Sequence, residues 1–164
     1  MSVTPRPGRP DMPAYGILPA EEGEGLLPWS WAEDRLRDAH TYWISTVQHD
    51  GAPHQAPVWA LWFDDAVVFS TSAKSRKAAN LARDARCSVG IERGSDAVIV
   101  EGDTTTLDQS RRAAYTEAYL EKYGFDMSEM PDPLFVVTPR IVFGFIDDTQ
   151  RFGATATKWV FTSG

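Results

Sequence analysis

The residues whose types and spacing could do chemistry lie between Phe69 and Asp84, in the run Phe-Ser-Thr-Ser-Ala-Lys-Ser-Arg-Lys-Ala-Ala-Asn-Leu-Ala-Arg-Asp. The hydroxyls of Ser70, Thr71 and Ser72 lead into the cations Lys74, Arg76 and Lys77. An apolar β-type run, Val67 to Phe69, precedes them. The residues beyond the turn predict a helix over 76–83, so the cations fall at its first turn. That end of a helix already carries partial positive charge, and each added cation costs about 0.3–1 kcal/mol. The free backbone N–H groups there point the same way. Hydroxyls, amides and cations converging on one spot suit a bound anion, a phosphate being the simplest. The alternative is a solvated basic helix start. The acidic remainder of the chain, with a net charge of −7, tilts the choice toward the phosphate.

The elements that must position this turn belong to a chain of 164 residues, one domain by length and long enough for a proper core. With 16 Lys+Arg against 23 Asp+Glu, a general nucleic-acid-binding face is not expected. Cys87 is the single cysteine, which excludes an intrachain disulfide and a cysteine-built metal site and suits a reducing cytoplasm. No apolar run approaches the roughly 18 residues of a membrane span, and the first residues lack the apolar core of a secretion signal. A cytoplasmic protein without membrane or nucleic-acid partners is expected.

Residues 1–28 are rich in Pro and Gly and read as an irregular arm, mobile or draped over a surface, ahead of a single domain at 29–164. Trp29 to Ala39 predicts a helix with Ser30 as N-cap and Glu33 completing a capping box. Strands are predicted over 41–48, 55–63, 66–70 and 97–107, with Cys87, Val89 and Ile91 alternating in another. Pro57 inside the second of these marks an edge or a bulge. Asp108 caps a helix from Gln109 to Tyr123, which Gly124 ends. Leu134 to Val137 and Arg140 to Asp147 read as strands around Pro139, and Arg151 to Phe161 as the last. The fold class is mainly β (α+β): antiparallel strands in a small closed or nearly closed barrel with a few flanking helices.

From about Trp31 to Phe161 these pieces, in this order, resemble the flavin-binding split-barrel proteins of the pyridoxamine 5′-phosphate oxidase type, and most of all their deazaflavin-using branch, which binds coenzyme F420. The sharpest part is Phe69-Ser70-Thr71, then Ser75-Arg76-Lys77, then Asn80-Leu81 and Asp84. The resemblance implies that Ser70, Thr71 and Ser75 with Arg76 and Lys77 hold the cofactor phosphate, with Asn80 as the next contact or an orienting residue. It implies that Pro57, Val58 and Trp59 run beside the ring. It also likens the closing Thr157-Lys158-Trp159-Val160-Phe161 to the deazaflavin branch's ending, which makes Trp159 a cofactor-binding candidate. A homodimer with the cofactor at its interface and a small-molecule substrate are further implications.

The departures narrow the chemistry. True pyridoxamine phosphate oxidases carry basic residues where this chain has Ala56 and Leu61, and a C-terminal Arg pattern that this chain lacks. An F420-dependent oxidoreductase, passing hydride to a small conjugated or oxidised substrate, is the expected function. The alternatives are an FMN-dependent oxidoreductase or oxidase and a non-catalytic flavin- or haem-binding protein. F420 continues past its phosphate into an anionic tail, and Lys74, Arg83 and Arg86 could extend the basic clamp toward it. No catalytic acid, base or metal site is identified. His40, His49 and His54 lack metal-ligand spacing; His54 could face the cofactor, and otherwise reads as an exposed strand start. Neither a Gly-x-Ser-x-Gly elbow nor a Gly-rich phosphate loop is present.

Overall fold

A computed structural model describes residues 4–162. Its nine strands form one antiparallel sheet. They are β1 (Arg6–Gly8), β2 (Tyr42–Val47), β3 (Pro53–Val58), β4 (Ala60–Phe63), β5 (Ala66–Ser70), β6 (Arg86–Arg93), β7 (Asp96–Thr106), β8 (Leu134–Ile146) and β9 (Thr157–Val160). The main path runs β1-β9-β8-β7-β6-β2-β3, and the β4–β5 pair branches off β8. The helices are α1 (Trp29–Asp38), α2 (Arg76–Arg83), α3 (Arg112–Tyr123) and the short α4 (Phe152–Thr155). This is a split barrel, as expected. Among the described residues no helix is long and apolar enough to cross a membrane.

The register explains the inside and the outside. One row across the ladders reads Ile44, Val89, Val100, Val142, Trp159, and all five are fully buried. The neighbouring row reads Pro57, Trp43, Gly90, Ile99, Phe143, Lys158 and faces outward. Alternation along each strand thus separates a dry interior from a second, partly exposed face. Trp159 anchors the interior, with ring centroids 5.6 Å from Trp29 and 6.5 Å from Trp31. A side chain at Gly144 would meet the Trp31 and Trp159 rings at 2.7–2.8 Å, so only glycine lets the two indoles pack there. A second core forms where α3 lies on β4 and β5, built from Leu61, Val68, Tyr115, Tyr119, Met127 and Leu134.

Several boundaries differ from the sequence expectations. α1 begins at Trp29 with Pro28 at its N-cap, so Ser30 caps nothing. The start shifts because Trp29 is drawn inward against Trp159 and Phe161, and Glu33 accepts from Trp62 Nε1 instead of closing a capping box. The single strand expected over 55–63 is two strands that break at Trp59, since β3 pairs with β2 and β4 with β5. Pro139 does not divide β8; the strand runs through it with a register shift opposite Glu101 and Gly102, which absorbs the missing donor. Residues 151–161 are not all strand: the Asp148 carboxylate accepts from the amides of Gln150 and Arg151 and turns the chain into α4 before β9. The arm lies against the domain over residues 4–28. Its Arg6–Gly8 segment extends the sheet beside β9, and the Arg9 guanidinium donates to the carbonyls of Glu22, Ala154 and Ala156. Expectations for Met1 to Val3 lie outside the described residues. The Asp108 cap and the Gly124 stop hold, although the first turn, Gln109–Arg111, is 3₁₀.

The break at Trp59 is closed by the end of α3. The Tyr123 hydroxyl accepts from Ala60 N and lies 2.8 Å from the carbonyls of Ala60 and His40. Lys122 Nζ donates to Arg37 O, Tyr42 Oη and Ala60 O. Burial pulls the Lys122 ammonium from its ordinary 10.5 down to about 8. Between those values the unfolded chain holds a proton there that the folded chain has shed, so this group makes stability rise with pH across that window. Burial also raises Cys87 and Tyr123 to about 12, and both slopes oppose it above their ordinary values of 9.0 and 10.0. A Lys122→Met variant isolates the lysine. The stability advantage of wild type over this variant, from urea unfolding, is expected to grow between about pH 8 and pH 10; a constant difference would show that the buried ammonium keeps its proton.

Candidate functional site

β5 ends at Ser70, and the chain turns through Thr71 to Ser75 into α2. The turn is built by its own hydroxyls. Ser75 Oγ caps the helix by accepting from Ala78 N at 3.1 Å, and Thr71 Oγ1 donates to Ser75 Oγ at 3.1 Å. Ser72 accepts twice, from Ser75 N at its carbonyl and from Lys74 N at its hydroxyl. The amides of Arg76 and Lys77 have no acceptor among the described residues. They are the free donors of the first turn.

α2 is tied to the barrel by β2. Asn80 Nδ2 donates to Thr46 Oγ1 at 2.9 Å, both residues being buried. Arg76 Nη1 donates to Gln48 Oε1 at 3.3 Å, and the Arg83 guanidinium donates to Val47 O. Asn80 is therefore an orienting residue in this structure, its amide committed to the interior.

The distribution of charge is uneven. Arg35, Arg37, Arg86, Arg93, Arg111, Arg140 and Arg151 each have a carboxylate within ion-pair distance. Lys74, Arg76, Lys77 and Arg83 have none among the described residues; Arg6, Arg9, Arg112, Lys122 and Lys158 also have none, but only the first four gather around one helix, α2. Arg86 does not join them. It is bound to Asp84 at 2.6 Å, and its hydrogen bonds hold that carboxyl down to about 2. With the free amides of Arg76 and Lys77, the unpaired cations form a site that could hold a phosphate.

The other candidates scatter. On β3 the residues alternate: Pro53, Gln55 and Pro57 are exposed, while His54, Ala56 and Val58 are half-buried on the inner side. Val58 packs against the barrel core beside Tyr42. Pro57 lies outside against Trp43. Trp59, 43% exposed, turns toward α3 and stacks on Tyr123 with centroids 4.8 Å apart and planes at 2°. Ala60 pairs with Phe69, so the crossing at Trp59 lies level with Ser70. Leu61 is buried under α3, away from the turn. Trp159 is not brought to the site: it is fully buried in the barrel, because its place in the Val142 row points it inward. His54 departs from the exposed strand start expected of it; it sits opposite Thr46 with Nδ1 buried and unpartnered. The alternation of β3 carried that signal. On the far flank of α2 a cleft of about 330 Å³ opens between Ala73, Ala78, Thr105, Pro133 and Phe135. The turn thus borders open surface on that flank.

Residues 31–143 match the sequence profile of the family described as Pyridoxamine 5′-phosphate oxidase. The chain belongs to this family. No curated protein matches the sequence. Among solved structures, it is similar to a conserved hypothetical protein from Mycobacterium tuberculosis at 22% identity, covering 75% of this chain and 87% of that one, with a TM-score of 0.67. It is also similar to a haem-binding protein from Mycobacterium smegmatis (17% identity, 79% and 62% covered, TM-score 0.61). A third, named F420 reductase, shares 19% identity over 67% of this chain and 94% of its own, with a TM-score of 0.57. At these identities the likeness is one of fold. Within this member of the family, removing the Asn80 amide leaves a buried hydroxyl at Thr46. Asn80→Ala is expected to cost about 1–3 kcal/mol in urea unfolding, and adding Thr46→Val should recover part of it, because a pair removed together leaves nothing unsatisfied. Equal stability of the single and double variants would remove this anchor of α2.

Proposed function

We propose that this chain is an F420-dependent oxidoreductase that passes hydride to a small conjugated or oxidised molecule. The observation that carries the reading is the group of cations around α2, left without carboxylates in a chain of net charge −7. They and the free amides of Arg76 and Lys77 fit a phosphate, and the half-buried Ala56 and Val58 fit the edge of a planar ring. When bound, the deazaflavin supplies two-electron hydride transfer, and the protein positions it and excludes water. F420 continues past its phosphate into an anionic tail, and the further cations Lys74 and Arg83, with the cleft on the far flank of the turn, support it over the monoester FMN. Paired titrations of the apo-protein with F420 and FMN, followed by tryptophan quenching, test this. F420 is expected to bind more tightly. Arg76→Ala with Lys77→Ala should weaken it about a hundredfold without unfolding the chain, as loss of two charge-assisted contacts predicts. Unchanged affinity in the folded double variant would overturn the phosphate site, and tighter FMN binding the choice of cofactor.

A homodimer is part of the same reading. Trp43, 45% exposed, continues across the outer row into Gly90, Ile99 and Phe143, an apolar stripe of the kind that marks an interface. The stripe begins at Pro57 on β3, so a second copy seated on it adjoins the strand whose inner face borders the site. Trp43→Arg is expected to convert a dimer into a folded monomer in sedimentation velocity; a monomeric wild type would end the proposal.

A further inference from the structure

We propose that His54 is a ligand-binding residue, its Nε2 donating a hydrogen bond to the phosphate held at the start of α2; this rests on the phosphate site proposed above. His54 lies on the inner side of β3 and has no hydrogen-bond partner at either ring nitrogen among the described residues. Nδ1 is fully shielded, while Nε2 retains access to solvent. In a neutral imidazole one nitrogen carries the proton and the other accepts. A buried N–H with nothing to donate to carries its full desolvation cost, so the proton is assigned to Nε2. The side chain then presents a single outward donor.

The register places that donor beside the cations. His54 pairs across the ladder with Thr46, and Thr46 accepts from Asn80 on α2. Lys77 precedes Asn80 by three residues, which puts both on one side of the helix. Two strand residues beyond Thr46, Gln48 accepts from Arg76. The imidazole therefore stands across β2 from the helix face that carries Lys77, with no carboxylate bound to it. An anion bridging the α2 amides and the inner side of β3 satisfies donors on both elements at once. Nothing else among the described residues gives this donor a partner.

The test separates the contact from the choice of cofactor. Inorganic phosphate is titrated into the full-length protein, with the imidazole nitrogens followed by ¹⁵N NMR. The His54 signals are expected to shift with saturation, and the Arg76→Ala, Lys77→Ala double variant to abolish the shift. In parallel, Kd is measured for F420, FMN and riboflavin. His54→Phe keeps the ring bulk and removes the donor; His54→Gln restores an N–H near the Nε2 position. His54→Phe is expected to weaken whichever phosphate-bearing cofactor binds about tenfold, to leave riboflavin within about twofold, and to be rescued by His54→Gln, the size of one charge-assisted hydrogen bond. Unmoved His54 signals in wild type, or an equal loss for riboflavin, would overturn the proposal. Shifted signals in a protein that binds neither F420 nor FMN would overturn the cofactor reading and leave the His54 contact standing.

Discussion

The structure depends on how one strand-to-strand crossing is held. At Trp59 the chain leaves the β2 ladder and joins the β5 ladder, and a barrel split there exposes backbone groups that neither ladder can satisfy. Tyr123 and Lys122 meet that need at Ala60. The same ammonium takes Arg37 O at the end of α1 and the Tyr42 hydroxyl, which itself donates to Leu36 O. Three elements distant in sequence thus converge on one desolvated cation. Carbonyl and hydroxyl dipoles, not a carboxylate, are its partners, and its lowered pKa shows that they only partly offset the cost of desolvating the ammonium.

This closure decides what faces the candidate site. With α3 plugging the crossing, Trp59 and Leu61 are drawn to the α3 side, and only the alternate residues of β3 remain on the inner face. α2 is fixed to the same region from below by Asn80 and Thr46, a buried amide–hydroxyl pair that sets the helix rotation. Once that rotation is set, Lys77 lies on the side of the helix that meets β2, the strand paired with β3. The site is a consequence of these two polar contacts, at Ala60 and at Thr46, and not of a pocket lined for its own sake.

Much of this was legible in the sequence, and the failures share a cause. The turn and α2 were readable because local chemistry determines them: Ser75 caps, Asp84 ends the helix, and cations at a helix start stand out against ordinary preference. Gly124 and the hairpin at Asp64 and Asp65, with φ of 51° and 59°, are local in the same sense. What was not readable is which partner each group finds. Residues 55–63 alternate like one strand whether or not the ladder changes midway. Trp159 is an aromatic in a strand either way, and only the row through Val142 says that it points inward. Arg86 and Arg76 are alike as residues, yet one is bound to Asp84 two positions away and the other has only Gln48. For His54, an exposed strand start and a residue facing a cofactor read alike until its pairing with Thr46 puts it on the inner side.

The unpaired cations at α2 are also an energetic argument. Lys74, Arg76 and Lys77 sit where the helix dipole disfavours them, and their mutual repulsion adds to the cost. The chain has carboxylates to spare, yet Asp84 lies at the far end of the helix paired with Arg86, and none among the described residues reaches the first turn. The first turn of α2 is therefore charged against its own dipole, while Asn80, Leu81 and Ala78 anchor the helix to the core. An anion at the first turn reverses the sign of every term there: it complements the dipole, accepts from the free amides and screens the cations from one another. Stability withheld from the unliganded helix becomes binding energy, and the packing of α2 on β2 ensures that the helix is in place to deliver it.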